Sequence, residues 1–461
     1  MAVKEELGTG RTGGREATTG VIPGRVALSV GCPDLEPPKR WKWTSLSSVA
    51  QLESGHTPSR RHPEYWDDGI PWIGIKDATE NHGRTLSDTY QHVSALGLEN
   101  SSARLLPANT VCLSRTASVG FVVVMGRPMA TSQDFVNWVC GPNIEPHYLK
   151  YVLLAENEAL WRFASGTTHQ TIYYPEAKAF HVCLPPLAEQ KAIAAMLGAL
   201  DDKIELNRRM NATLEAMARA LFQSWFVDFD PVRAKLDGRQ PVGLDPATAA
   251  LFSDHLEDSS LGHIPKGWKA GTVVEGFNLT MGQSPPGDTY NEEGNGVPFY
   301  QGRTDFGFRF PTRRIYCSAP TRYAETGDTL VSVRAPVGDI NMANEKCCIG
   351  RGVAAVRHNS GATSFTYHSM ANLYPDFARF EAEGTVFGAI NKDSFEKLRF
   401  VIPPMEIIAA YERQAGSLDE QICTLENESR TLATLRDTLL PKLLSGEMSM
   451  ASGVKESGVV A

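Results

Sequence analysis

The chain has 461 residues, 42% apolar, 21% charged and 9% aromatic, an ordinary globular composition too long for one hydrophobic core, so two or more domains are expected. It holds no run of 18 apolar residues and no apolar signal core at its start, which argues against a membrane span and for a cytoplasmic location. A net charge of −8 argues against a generic polyanion binder, and eight cysteines without a CxxC pair argue against a zinc site.

Residues 1–38, rich in Gly, Thr, Arg and Pro, read as a disordered tail. Residues 39–186 carry short β-rich runs, Thr110 to Leu113 and Gly120 to Met125, and a turn at Asp68-Gly69, which predict a strand-rich mixed α/β domain. From 187 to 226 the apolar or small residues Ile193, Leu197, Leu200, Ile204, Leu214, Ala218, Leu221 and Trp225 recur in steps of four and three. Asn207 and Asn211 fill the two remaining positions. That is the 3.5-residue period of a coiled coil. Pro185 stands just before the helix, where a missing N–H costs little. Residues 227–262, with Pro231, Gly238, Pro241 and Pro246, read as a linker.

The second half then repeats the first. Val331-Ser332-Val333-Arg334-Ala335-Pro336-Val337-Gly338 has the shape of Leu113-Ser114-Arg115-Thr116-Ala117-Ser118-Val119-Gly120, 218 positions later. At the same offset Gly166-Thr167 matches Gly384-Thr385, Ile172 matches Ile390, and Pro185-Pro186 matches Pro403-Pro404. Upstream the offset is 227: Trp41-Lys42 matches Trp268-Lys269, and Pro71-Trp72-Ile73 matches Pro298-Phe299-Tyr300. A slip of nine is what a loop of different length would produce. Residues 263–404 therefore predict a second domain of the same mixed kind, and 405–446 a second helix. Its seam is Tyr411, Ala415, Leu418, Ile422, Leu425, Ser429, Leu432, Arg436, Leu439 and Leu443, with Pro441 expected to kink or fray the last turns. Two helices of one heptad phase, separated by a domain, predict an antiparallel coiled coil carrying two globular strand-rich α/β domains. Residues 447–461 read as a disordered tail.

Reactive groups are missing. The closest glycine-rich piece, Gly282 to Asp288, lacks the lysine of a phosphate loop, and Ser284-Pro285-Pro286-Gly287 lacks the aromatic of an amino-methyltransferase motif. Asp67-Asp68 and Asp201-Asp202 are neighbours along the chain, which rarely converge on one metal. No HExxH or GxSxG occurs. The expectation is a chain with no catalytic residue and no metal.

The run Leu184-Pro185-Pro186-Leu187-Ala188-Glu189-Gln190-Lys191-Ala192-Ile193-Ala194, continuing to Ile204, resembles the helix of type I restriction specificity subunits. So does Leu221-Phe222-Gln223-Ser224-Trp225-Phe226-Val227-Asp228-Phe229-Asp230-Pro231. Ile264 to Trp268 is similar to the opening of that family's second target-recognition domain, and Leu439 to Gly446 to its terminus. The second copy departs from the pattern, with Met405-Glu406-Ile407-Ile408 in place of Leu187-Ala188-Glu189-Gln190. The resemblance implies that each domain reads one half of a two-part double-stranded DNA sequence, with the helices fixing the spacing. It implies two adenine-N6 methyltransferase subunits and two ATP-driven restriction subunits as partners, with S-adenosylmethionine, ATP and Mg2+ in those partners rather than here. A modification-only complex, a coiled-coil scaffold whose domains bind protein or glycan, and a nuclease with an unrecognised site are the alternatives.

Base edges are read by Arg or Lys at guanine and by Asn or Gln at adenine. Candidates in turn-like surroundings are Lys76, Arg84, Arg115, His169 and Gln170 in the first domain, and Gln283, Arg303, Arg309, Arg334 and Arg351 in the second. Arg313 and Arg314 close the densest basic cluster, Arg303 to Arg314, interleaved with Phe306, Phe308 and Phe310. For each arginine, a phosphate-contacting or solvated side chain is the alternative to base reading.

Overall fold

The computed structural model describes residues 20–116, 118–165, 170–383 and 388–449. Two compact units divide the chain: one takes the residues up to Ile204 and from Arg430 onward, the other Glu205–Ser429.

In the first unit, β1 (Ala50–Ser54), β2 (Trp66–Ile73), β3 (Val111–Ser114), β4 (Val122–Met125), β5 (Ala130–Thr131) and β6 (Phe135–Cys140) carry the framework. β1, β6, β3 and β4 pair antiparallel in that order, and β5 runs parallel to β2. The unbroken apolar run Val122 to Met125 follows from burial on both faces. Val122 and Val124 pack with Trp138, Tyr148 and Phe180, whereas Val123 and Met125 face Ile73, Cys112 and Phe135.

The second unit repeats this with β7 (Phe277–Met281), β8 (Val297–Tyr300), β9 (Thr329–Ser332), β10 (Ile340–Met342), β11 (Cys347–Ile349) and β12 (Val353–His358). Its sheet order is β7-β12-β9-β10, with β11 parallel to β8. The registers match residue for residue. Leu52 faces Trp138 as Leu279 faces Val356, Leu113 faces Val122 as Val331 faces Ile340, and Trp72 faces Ala130 as Phe299 faces Cys348. The nine-residue slip lies wholly between β2 and β3, where residues 74–110 stand in place of 301–328.

Two long helices follow the domains, α1 (Leu187–Phe222) and α2 (Met405–Leu444), the first continued by a π-helical turn at Gln223–Val227. They pair antiparallel within each unit. In the first, Asp201 meets Arg436, Ile193 and Leu197 are buried with Leu443, and Leu200, Ile204, Leu432 and Leu439 are half-buried. In the second, Asn207 Nδ2 donates to Glu428 Oε2 at 2.8 Å and Tyr411 Oη donates to the Ala218 carbonyl at 3.3 Å. There Trp225 and Ile422 are buried, and Leu214, Leu221, Leu418 and Leu425 are half-buried. The seam is thus the predicted one, and a mixed α/β fold with a strand-rich domain and a stretch of antiparallel helix pair describes each unit.

Three sequence expectations need correction. Within the expected tail, Ile22–Pro23 and Leu28–Val30 are strands in a sheet with Phe180–Leu184 and Lys42–Ser45. The buried carboxylate of Glu156 holds the turn between them, accepting the amides of Arg25, Val26 and Ala27 at 2.6–2.7 Å. Residues 1–19 and 450–461 lie outside the described residues. The expected linker is folded as well. Pro231 opens a helix, Asp230–Leu236, and Phe229, Val232 and Phe252 join Trp225, Phe226 and Trp268 in the second core. Lastly, α2 continues past Pro441 because Leu443 and Leu444 are buried in the first core and hold the final turn in place.

Candidate functional site

Antiparallel pairing brings the C-terminal ends of β1 and β3 together with the N-terminal ends of β6 and β4. Loops emerging from that end of the sheet are built alike in the two units. Ser114 accepts from Gly120 N through its carbonyl and donates from Oγ to the Ser118 carbonyl. Ser332 does the same with Gly338 and Pro336. Gly120 and Gly338 close these clips at φ 101° and 93°, a region that disfavours side chains. Thr116 bridges Thr171 as Arg334 bridges Ala389, and the Arg115 amide bonds the Asp134 carbonyl as Val333 bonds Gly352.

A second pair of loops lies alongside, Gly55-His56-Thr57-Pro58 after β1 and Gly282-Gln283-Ser284-Pro285 after β7, 227 positions apart. A Cβ on Gly55 would meet the Ser132 carbonyl at 2.0 Å, and one on Gly282 the Gly350 carbonyl at 2.2 Å, so both chains pass where only glycine fits. The amide of His56 bonds the Thr131 carbonyl at 2.9 Å, and that of Gln283 the Ile349 carbonyl at 3.0 Å. At each tip a half-buried hydroxyl meets an exposed side chain: Thr57 Oγ1 donates to Gln133 Oε1 at 2.5 Å, and Arg351 Nε donates to Ser284 Oγ at 3.3 Å.

The candidates divide accordingly. Arg115, Gln283 and Arg334 lie on these loops, and Gln170 and Arg351 on the segments bonded to them; Arg115 Nε donates to the Gln133 carbonyl at 3.2 Å and its guanidinium lies 4.9 Å from the Tyr174 ring. Lys76 and Arg84 follow β2 and precede the strand beside β4 at the same end, with Lys76 over the Tyr90 ring at 3.9 Å. Arg303 reaches Asp339, next to the second clip. His169 lies outside the described residues. Arg314 is held at 2.7 Å by the buried Asp305. Arg313 is paired at 2.5 Å with Glu345, past the far end of β10, and so belongs to the other side of the sheet.

Arg309 must be corrected outright. It is fully buried, ion-paired with Glu215 and, at 2.6 Å, with Asp419, and lies 3.9 Å over the Tyr367 ring. Burial is the largest influence on the guanidinium and opposes its charge, yet Tyr367, Asp419 and Glu215 hold its pKa above the ordinary value. It is a structural cation, out of reach of any ligand. The sequence reading in turn overlooked His56, Thr57 and Gln133. The signal was present, since subtracting 227 from Gln283 and Ser284 and 218 from Arg351 leads to these three positions.

A family model described as "Type I restriction modification DNA specificity domain" matches residues 38–216 and 265–425. The chain is 24% identical to the type I restriction enzyme MjaIX specificity subunit of Methanocaldococcus jannaschii, over 89% of this chain and 94% of that one. It is 26% identical to the type I restriction enzyme HindI specificity subunit of Haemophilus influenzae, over 70% of this chain and 84% of that one. A solved structure, the S subunit of a type I restriction-modification system from M. genitalium, is similar in fold, with TM-score 0.54 at 17% identity over 90% of this chain and 98% of that one.

Proposed function

The chain belongs to the family of type I restriction modification DNA specificity proteins, and from that premise we propose how its two halves work. It is the non-catalytic, DNA-recognising subunit of such an enzyme. Each domain reads one half of a bipartite duplex sequence with the loops at the end of its sheet. The helix pair sets the unspecified gap and carries the partners, two adenine methyltransferase subunits and two restriction subunits. S-adenosylmethionine, ATP and Mg2+ act in those partners, in the cytoplasm. No helix among the described residues is long and apolar enough to cross a membrane.

The observation that supports this reading best is the loop end built twice in one hydrogen-bond pattern, with different side chains at matched places. Two readers of one design with different tips are what a two-part target requires.

Grafting tests it. Residues 20–186 replaced by the matching part of a relative should change one half of the methylated sequence, mapped genome-wide, and leave the other intact. Both halves changing together would overturn the two-reader arrangement. A graft of 39–186 alone should express poorly, because it separates Leu28–Val30 from its partner strand Phe180–Leu184.

A further inference from the structure

We propose that Gln133 and Arg351 are the matched base-reading side chains of the two domains, each aimed by the hydroxyl beside it, with Gln133 selecting adenine and Arg351 guanine. The proposal rests on the DNA-reading function above and assigns one specificity-determining position to each half-site.

Equivalence comes first. The framework offsets of 227 and 218 carry Thr57 onto Ser284 and Gln133 onto Arg351, so the two pairs occupy one place in the repeated architecture. Both pairs stand at the loop tip set by the glycine that approaches a backbone carbonyl, Gly55 or Gly282. Pro58 and Pro285, both buried, fix the chain on the other side of the hydroxyl. A rigid platform under an exposed polar tip is what reading a base edge demands, because a side chain ordered beforehand loses less entropy on contact.

The hydrogen-bond chemistry then separates the two. Thr57 donates to Oε1 of Gln133, which holds that end of the carboxamide against the loop. One Oε1 lone pair and both Nε2 hydrogens are left for a ligand, the pattern that meets N6 and N7 of adenine. Ser284 takes the Nε hydrogen of Arg351 instead. Neither Nη of Arg351 has a hydrogen bond or ion pair among the described residues, so the two-pronged edge that fits O6 and N7 of guanine is presented outward. Arg303, Arg313 and Arg314, by contrast, already hold carboxylates of their own unit.

The experiment uses the full-length chain co-purified with its methyltransferase partner, a randomised duplex library at fixed salt, and sequencing of the bound fraction. The parental protein should enrich a bipartite sequence. Gln133→Arg should move one position of one half-site from A to G, and Arg351→Gln one position of the other from G to A, each by roughly 5- to 150-fold in preference with the opposite half-site unchanged. Should Gln133→Arg fail to fold by circular dichroism, Gln133→Ala serves in its place and should leave one adenine position degenerate. Half-sites unchanged in these variants, or changed at a position that was not A or G respectively, would overturn the assignment and leave the specificity function standing. A parental protein that enriches nothing would overturn that function itself, and this assignment with it.

Discussion

Asp201 and Asp419 lie 218 positions apart, and each fastens a domain to the helix pair of its own unit, yet the cations they hold come from different sources. Asp201 takes Lys150 at 3.1 Å, Tyr151 Oη at 2.6 Å and Arg436 at 2.8 Å, the first two from a helix, Pro146–Ala155, that belongs to the shared framework. Asp419 takes Ser364 Oγ at 2.6 Å and Arg309 at 2.6 Å, and Arg309 comes from residues 301–328, where the repeats diverge in length. Electrostatics follow suit. Burial raises both carboxyls, but the donors of Asp201 outweigh it and lower that pKa, whereas at Asp419 burial wins. One position in a duplicated fold can thus keep its task while its partner is supplied by framework in one copy and by a variable segment in the other.

Removing the cations is the strongest way to break the comparison. Arg309→Ala leaves Asp419 and Glu215 facing a buried void and should cost about 3–5 kcal/mol, read as a lower urea midpoint. Lys150→Met, which leaves Asp201 with Tyr151 and Arg436, should cost less, about 1–3 kcal/mol. Because the Asp201 pKa is lowered in the fold, its contribution is present above the ordinary value of 3.8 and is lost as pH falls through the folded one. Equal losses in the two variants would show that the source of the cation is immaterial.

A histidine sharpens the contrast. His368, packed against Tyr367, Phe222 and Tyr411, has no hydrogen-bond partner on either ring nitrogen among the described residues. Burial, then Arg309 and Arg219, push its pKa down to about 3. Above about pH 6.5 both the folded and the unfolded chain hold it neutral. Below that the unfolded chain takes a proton that the fold refuses, so stability should fall by up to roughly 1.4 kcal/mol per pH unit toward pH 3. His368→Leu should flatten that window in a urea series, and an unaltered slope would mean the ring is solvated.

The duplication, both helix seams and the fold class were legible because periodicity and offset survive in the residues themselves. The first strands were not, since Gly24 and Pro23 serve a turn whose partner, the Glu156 carboxylate, lies 131 residues from Arg25. Nor was the folding of 227–262, where Phe229 packs on Trp268 of the following domain and Phe252 on Trp225 at the end of the first helix. The site was half legible. Arg115, Arg334 and Arg351 were found as basic residues in turn-like surroundings, but one sequence cannot distinguish Arg334 from Arg309, because only the fold puts a carboxylate on either side of the latter.

The smallest effect separates an unpaired arginine at the reading end from a paired one at the far end. Arg334 is exposed, and no ion pair holds it among the described residues; Arg313 is already engaged by Glu345 on the far side. Neither is packed in a core, so Arg334→Ala and Arg313→Ala should each alter stability by no more than about 0.5 kcal/mol. Their DNA titrations should differ nonetheless. A phosphate-contacting arginine releases about one counterion, so Arg334→Ala should weaken all sequences alike and reduce the slope of log affinity against log salt by about one. Arg313→Ala should leave the slope as it was. The matched position in the first unit is Thr116, whose hydroxyl bonds Thr171 at 2.9 Å instead of facing a phosphate. Thr116→Arg should therefore raise the slope by about one while the recognised sequence stays the same. If Arg313→Ala changed the slope and Arg334→Ala did not, the interface would lie at the opposite end of the sheet.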